Sequence, residues 1–437
     1  MSCDSTKSIW QERSERPQFQ TLEGNRKTDV LIVGGGMTGI LSAYMLREAG
    51  VDCMLVEADR ICSGTTGNTT AKITYAHGLI YGKLISRFGR EQAALYLEAH
   101  RQALKKYAEL CGKHPCDYSA ADSYVYTLRG RDKIEREIQA LRALGSEADF
   151  VESLPLPVEA VGAVKVPGQA HFNPLKFAFS IAKGLPIYEN TKVWELTPKE
   201  AITNRGKICY EKLIVATHFP ILNKHGLYPL KMYQHRSYSV ALENAPLPRG
   251  VYVDESDRGL SFRSYGNLLL LGGGGHRTGK GGGGWQELED FAKSNYKGSK
   301  IVTKWAAQDC MTLDRVPYIG QYSKHTPSVY VATGFNKWGM SSAMVSACIL
   351  RDLILGESNG FAQVFSPSRS MLRPQLLVNA FESVIGLITP TKPRCPHLGC
   401  ALKYNSAERS WDCPCHGSRF TEDGKLIENP ATDDKKL

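Results

Sequence analysis

Residues 29–33 (DVLIV) form a short apolar run of strand type, and the six residues that follow, Gly34-Gly35-Gly36-Met37-Thr38-Gly39, read G-x-G-x-x-G. An amphipathic stretch with Ile40, Tyr44 and Leu46 comes next and is closed by Gly50. A second strand-like run, 51–56, then ends on Glu57. Each glycine has a separate job: Gly34 allows the tight turn, Gly36 lets the backbone approach a pyrophosphate, and Gly39 lets the helix pack close to the strand. The helix start at Met37 and Thr38 offers N–H donors and a partial positive charge to phosphates. Glu57 is placed to accept hydrogen bonds from a ribose hydroxyl. A lone glycine motif would be only a turn. Strand, glycines, helix, strand and acid at this spacing specify an α/β dinucleotide-binding fold, without separating FAD from NAD.

Three later segments favour FAD. Gly64-Thr65-Thr66-Gly67-Asn68-Thr69-Thr70 is a small, hydroxyl-rich loop suited to close approach of a phosphate or a ring edge. Residues 213–217, which include Ala216 and Thr217, read as a strand ending in a small-residue turn. Residues 328–332 read as a strand, followed by the loop Thr333-Gly334-Phe335-Asn336-Lys337-Trp338-Gly339 and a helix to about Leu353. That helix can aim its N-terminus at a flavin ring and favour the anionic reduced form. With Asp314-Arg315-Val316-Pro317-Tyr318-Ile319-Gly320 added, residues 28–360 resemble the FAD-dependent oxidoreductases of the D-amino-acid oxidase, glycine oxidase and sarcosine oxidase group. The resemblance implies a discontinuous FAD domain and a substrate domain with an antiparallel sheet covering the flavin. It also extends the expected flavin contacts to Val193 and Asp314.

The densest chemistry lies near the other end: Cys395-Pro396-His397-Leu398-Gly399-Cys400, then Cys413-Pro414-Cys415-His416-Gly417-Ser418. As ligands these give Cys395-x-His397 and Cys413-x-x-His416. Zinc knuckles favour Cys-x-x-Cys turns, and neither pair has that spacing. The pattern resembles a Rieske [2Fe–2S] centre, in which two thiolates hold one iron and two imidazoles the other, raising the potential. The resemblance implies a disulfide between Cys400 and Cys415 that clamps the two ligand loops. Only about thirty residues separate the flavin-like region from Cys395, and the chain runs twenty-one residues past His416, with Asn429-Pro430-Ala431 resembling the loop that covers such a cluster. A shortened Rieske unit leaning on the flavin domain is therefore expected.

The fold class expected is thus α/β: a Rossmann-like FAD-binding domain with an antiparallel-sheet substrate domain, plus a small β Rieske-type domain. The boundaries expected are an N-terminal extension over 1–27; FAD-binding segments over 28–90, 151–224 and 305–360; and substrate-domain segments over 91–150 and 225–304. A linker over 361–390 and the Rieske unit over 391–437 complete the chain. Residues 91–111 read as helix. Residues 237–242, 250–253, 260–263 and 268–271 read as strands, and the glycines 272–275 and 281–284 read as loop flanking a helix near 285–293. Glycines 272–275 could mimic a second nucleotide site, but no acid-tipped strand follows at the required distance.

The bulk properties fit. With 437 residues, 42% hydrophobic and 22% charged, the chain can bury two or three domain cores. The net charge of +10 is dispersed, and the pairs Lys105-Lys106 and Lys435-Lys436 read as solvated surface, so a nucleic-acid partner is not expected. Residues 395–437 carry six Lys/Arg and seven Asp/Glu, which places the excess in the larger N-terminal part. No apolar leader is visible, and the apolar stretch 376–388 is too short and too interrupted by polar residues to span a bilayer, so a cytoplasmic protein without a transmembrane segment is expected. Of twelve cysteines, eight are scattered and four crowd into 395–415.

The chemistry expected is oxidation of an amine or amino-acid-like substrate at the flavin. Electrons would then pass singly to the cluster and on to a one-electron acceptor protein or a quinone-type acceptor. Polar candidates over the ring are Tyr238, Arg263, His276 and Lys337, with Arg263 able to pair a carboxylate bidentately. Cys310 is a remote candidate for covalent flavin attachment. The alternatives are a reductase fed by NAD(P)H or ferredoxin, and a redox carrier or sensor with no small-molecule substrate.

Overall fold

The structure, a computed structural model, describes residues 6–222, 225–281, 284–390 and 393–435. Gly282 and Gly283 of the second glycine run, residue 224, Lys436 and the expected Rieske boundary at 391 lie outside the described residues. Two large sheets and one small one organise the chain.

The first sheet has eight strands, in the order Tyr318–Gln321, Val329–Thr333, Gly206–Val215, Arg26–Val33, Cys53–Val56 and Ile187–Tyr188, with the hairpin Val193–Leu196 and Glu200–Thr203 on its flank. Arg26–Val33 runs parallel to both Gly206–Val215 and Cys53–Val56. Its last four residues are all buried, as a strand covered on both faces requires. The helices Met37–Glu48 and Gly339–Leu355 cover one face and pack on each other.

The second sheet has nine strands. Lys300–Thr312, Met232–Glu243, Leu268–Arg277, Ser261–Tyr265 and Val251–Asp254 follow one another antiparallel. Val251–Asp254 then pairs parallel with Ser119–Thr127, which continues antiparallel to Gly162–His171 and Lys72–Ile73. Gly162–His171 and Lys300–Thr312 fall mostly or wholly outside the segments expected to build this sheet, and the stretch 91–150 supplies strands as well as helix. The helix expected over 91–111 spans Tyr81–Lys113, interrupted at Gly89 (φ +83°).

Glycines 272–275 correct the expectation of a loop. They lie inside the strand Leu268–Arg277, with Gly272 between Ser239 and Ser261. A Cβ on Gly272 would come within 2.8 Å of Ser261 Oγ, and one on Gly274 within 2.8 Å of Gly284 Cα. Close packing of neighbouring chain on both sides selects glycine here against its weak strand preference.

The N-terminal extension is part of the core. Ser8 caps the short helix Ile9–Arg13, and Ile9 and Trp10 are fully buried. The expected linker is ordered too: it holds the helices Ala362–Phe365 and Pro374–Ile388, and the second packs directly on the Rieske loops. All four strands of the small sheet (Lys403–Asn405, Ser410–Asp412, Arg419–Thr421 and Leu426–Glu428) follow the first ligand loop. Their apolar core is little more than Leu402, Phe420, Ala431 and the cysteines, so the unit does rely on its neighbours.

Candidate active site and cluster site

A cavity of about 930 Å³ is walled by both large sheets. The dinucleotide turn forms one end. Gly34 has φ +113°, and a Cβ there would meet the Ala216 carbonyl oxygen at 2.5 Å. Gly39 does not face the cavity; a Cβ on it would sit 2.0 Å from the Gly34 carbonyl oxygen, so this crossing of helix and strand admits only hydrogen. Gly36, Met37 and Thr38 line the cavity where the helix begins. Glu57 accepts the N–H groups of Gly35 (2.6 Å) and Asp59 (3.0 Å), and burial pushes its carboxyl pKa up. Glycine turn, helix N-terminus and carboxylate fit the adenosine and pyrophosphate parts of FAD.

The wall continues through Gly64, Thr65, Thr66, Asn68, Thr69 and Thr70, with Val193, Ala216 and Thr217 opposite. The threonine loop is pinned from behind. The Trp10 and Trp305 indoles donate to the carbonyls of Thr69 (2.6 Å) and Asn68 (2.9 Å), and the Thr65 hydroxyl donates to Gln308 O (3.1 Å). The far end is the loop Gly334 to Gly339, all six residues of which line the cavity. Asn336 and Lys337 both have positive φ. Asn336 locks the loop by accepting from Thr312 N–H (2.8 Å) and donating to Gly334 O (2.6 Å). Lys337 Nζ donates to Asp257 O (2.9 Å), and burial lowers its pKa. The helix Gly339–Leu355 starts at this loop with its positive end toward the cavity.

The other candidates sit off the cavity, apart from Tyr238, which lines it. Asp314 is buried off the cavity in an ion pair with Arg369 at 2.7 Å. Arg263 is fully buried behind the wall. Its guanidinium donates to the carbonyls of Thr70 (2.7 Å) and Ala71 (2.8 Å) and lies over the Trp10 ring, which corrects the idea of a substrate carboxylate clamp. The Tyr238 hydroxyl meets His276 Nε2 (3.0 Å) and donates to Glu408 Oε1 (3.1 Å), so these two candidates tie the sheet to the C-terminal module. Cys310 faces an apolar core with Met232 and Tyr318, away from the cavity, which removes the geometry for covalent attachment.

Sequence reasoning missed Lys72, Ser237 and Asp309, which all line the cavity. Burial lowers the Lys72 pKa to about 7 and raises that of Asp309. The alternation that turns Ala307 and Asp309 inward and Gln308 and Cys310 away was present in the sequence, but not which face was inner. Also missed were Leu426, Ile427, Glu428 and Thr432, which close the cavity from the C-terminal module together with Asn429 and Ala431 of the loop expected to cover the cluster.

The second site is built by two loops. Cys395 and Cys413 are buried with their thiols hydrogen-bonded, and this contact draws the Cys395 pKa down to about 7. The His397 and His416 rings stand 5.0 Å apart, nearly perpendicular. Burial pushes both imidazole pKa values down, to about 4 and about 3, keeping them neutral, as ligands must be. His416 Nδ1 is buried without a hydrogen-bond partner, a donor atom set aside for metal. Cys400 and Cys415 form a disulfide, with Cα atoms 6.6 Å apart. Two thiols and two neutral imidazoles fit a [2Fe–2S] cluster of mixed ligation.

The module is bolted to the second sheet. Arg236 is buried between Glu408 and Glu428, and Arg419 bridges Glu408 and Asp412. Gln308 Nε2 donates to Gly417 O (2.8 Å), and Gln234 Nε2 to Asn429 O (3.0 Å). Arg277 donates to the carbonyls of Pro414 (3.2 Å) and Cys415 (3.3 Å). A Cβ on Gly417 would sit 2.4 Å from Gln234 Cβ, so the His416 loop lies flush on the sheet that walls the cavity.

Residues 29–353 match the FAD dependent oxidoreductase (DAO) family and residues 375–436 the Rieske [2Fe-2S] domain. The chain belongs to the FAD-dependent oxidoreductase family, is an oxidoreductase of that kind, and carries a C-terminal Rieske domain, with FAD and a [2Fe–2S] cluster as its cofactors. It is similar to YhfW of Bacillus subtilis, named as a Rieske 2Fe-2S iron-sulfur protein, at 32% identity over 98% of this chain and 96% of that one. It is also similar to gamma-glutamylputrescine oxidoreductase of Escherichia coli, at 23% identity over 78% of this chain and 87% of the relative. Among solved structures, glycine oxidase from Geobacillus kaustophilus shares the fold, with a TM-score of 0.67 and 19% identity over 79% of this chain and 99% of that one.

Proposed function

We propose that the protein is a dehydrogenase of a small amine or amino acid whose electrons leave through the Rieske cluster. When bound, FAD accepts two electrons from a substrate and the cluster accepts them one at a time. The observation that carries the reading is the shared wall: the cavity lined by the flavin-type loops is closed by residues 426–432 of the cluster module. The His416 loop lies on Gln234 and Gln308, in the two strands that also carry Ser237 and Asp309 into the cavity. The relatives' names, gamma-glutamylputrescine oxidoreductase and glycine oxidase, support the substrate class.

Within the cavity, Lys72 and Asp309 supply the charge. Lys72 Nζ is held by Thr70 Oγ1 (2.7 Å), and its lowered pKa lets it exchange a proton near neutrality. Asp309 offers a carboxylate to a cationic nitrogen. The pinned threonine loop and the closing segment 426–432 exclude water. Glycines 272–275 form sheet rather than a second nucleotide turn, which supports electron entry from substrate over entry from NAD(P)H.

The test is anaerobic absorbance on holoprotein challenged separately with NADH, NADPH and a panel of amino acids and amines. Bleaching of the flavin band by one amine or amino acid, and not by nicotinamide, is expected. Bleaching by NADH or NADPH would make the protein a reductase, and bleaching by dithionite alone would make it a carrier or sensor.

A further inference from the structure

The helix Pro374–Ile388 is built inside out. Its inward positions are polar or small. Asn379 accepts from Arg277 (3.1 Å) and donates to Leu230 O (3.2 Å), Glu382 pairs with Lys280 (2.6 Å), and a Cβ on Gly386 would sit 2.4 Å from Cys415 Sγ. Its outward positions are large and apolar: Leu377, Phe381 and Ile388 are 75%, 64% and 72% exposed, and Val384 lies between them. A helix on the surface of a water-soluble domain carries the opposite pattern. Leu372, ahead of the helix, is exposed too, as is Leu398 on the first ligand loop, whose Gly399 lies against Leu387. A continuous exposed apolar strip of this extent marks an interaction face.

The charges around the strip say what it meets. Arg373 and Arg394 flank the two ends of the helix. The Arg373 guanidinium lies over Phe88, and residues 81–91 around that ring carry the exposed Lys83, Arg87 and Arg90 against one exposed acid, Glu91. The only acid in the helix, Glu382, is turned inward to Lys280. An apolar strip with a basic rim, on a chain of net charge +10, complements an anionic lipid surface. Among the described residues no helix is long and apolar enough to cross a membrane. A helix of 15 residues lying flat is about 22 Å long and reaches into one leaflet only.

We propose that this face rests on an anionic lipid bilayer, with Leu377, Phe381, Val384 and Ile388 at the acyl boundary and the basic rim at the headgroups. The inference does not depend on what the cavity oxidises. It brings the first cluster loop, with the exposed Leu398 at its tip, close to the lipid.

Flotation of the holoprotein with vesicles tests it, using phosphatidylcholine alone and phosphatidylcholine mixed with phosphatidylglycerol. Binding to the mixed vesicles that weakens with added salt is expected. The double variant Leu377→Asn/Phe381→Asn, at exposed positions, keeps the flavin and cluster spectra and partitions roughly tenfold less or weaker still. Arg87→Gln weakens binding to the mixed vesicles only. Failure to float with either vesicle, or flotation unchanged in the double variant, would overturn the proposal. So would a lipid-free dimer, seen by sedimentation velocity, that the double variant dissociates, because a second copy would then own the face.

Discussion

Gly39→Ala is expected to yield protein whose cluster absorbance survives and whose flavin absorbance is lost. The added methyl would stand 2.0 Å from the Gly34 carbonyl oxygen and 3.4 Å from Leu55 Cδ1. The first obstacle is backbone of the turn itself, so no rotamer change makes room. Relief comes only by moving the helix Met37–Glu48 off the strand Arg26–Val33, and that withdraws Gly36, Met37 and Thr38 from the cavity wall. Overpacking of this kind costs about 1–3 kcal/mol in an adaptable core and more where backbone blocks backbone. A co-purified flavin content near zero, with the cluster content unchanged, is the measurement. Gly50→Ala is the control: that glycine has open space around its Cβ position but φ +75°, so it loses some stability and keeps its flavin.

Arg236→Met is expected to loosen the docking of the Rieske module on the flavin domain while leaving both cofactors bound. Burial alone would raise the Glu408 carboxyl; Arg236 and Arg419 overcome this and hold its pKa down at about 2. Removing Arg236 strips Glu408 of one of two buried cations and Glu428 of its 3.0 Å partner. Breaking one side of a buried ion network costs roughly 3–5 kcal/mol, an equilibrium shift of about 100-fold or more. Glu408 keeps Arg419 within its own module, so the loss falls first on the docking contact. Faster limited proteolysis between the flavin domain and the cluster, with cluster reduction slowed more than flavin reduction by substrate, is the expected result.

The two cofactor sites were legible because each is encoded locally. The glycine turn to Glu57 spans fewer than thirty residues, and the cluster ligands sit in two loops of four to six residues, so spacing alone carries the chemistry. What surrounds them was not legible, for reasons of geometry. Asp309 and Cys310 are neighbours in sequence, yet only knowledge of which sheet face looks inward tells the cavity carboxylate from the core thiol. Arg263 has the chemistry of a carboxylate clamp, but its partners are the carbonyls of Thr70 and Ala71, reached only through tertiary packing. Tyr238 and His276 were singled out as polar groups of the substrate sheet. Tyr238 bonds both His276 and Glu408, and Glu408 lies 170 residues away, a contact that no local pattern reports. Glycines 272–275 read as loop by propensity and lie in a strand whose Gly272 is paired with Ser239 on one side and Ser261 on the other. Ile9 and Trp10, inside the stretch expected to be only an extension, are buried in the core, and Trp10 pins the threonine loop.

The central claim is that electrons taken from substrate in the cavity reach the cluster within the same molecule. Rapid mixing of dilute anaerobic holoprotein with the substrate found by the panel, followed by freezing and paramagnetic resonance, tests it most directly. The account predicts that the signal of the reduced cluster grows as the flavin band bleaches, at a rate independent of protein concentration, and that Arg236→Met slows it. A flavin that bleaches fully while the cluster stays oxidised, or cluster reduction whose rate scales with protein concentration, would contradict it.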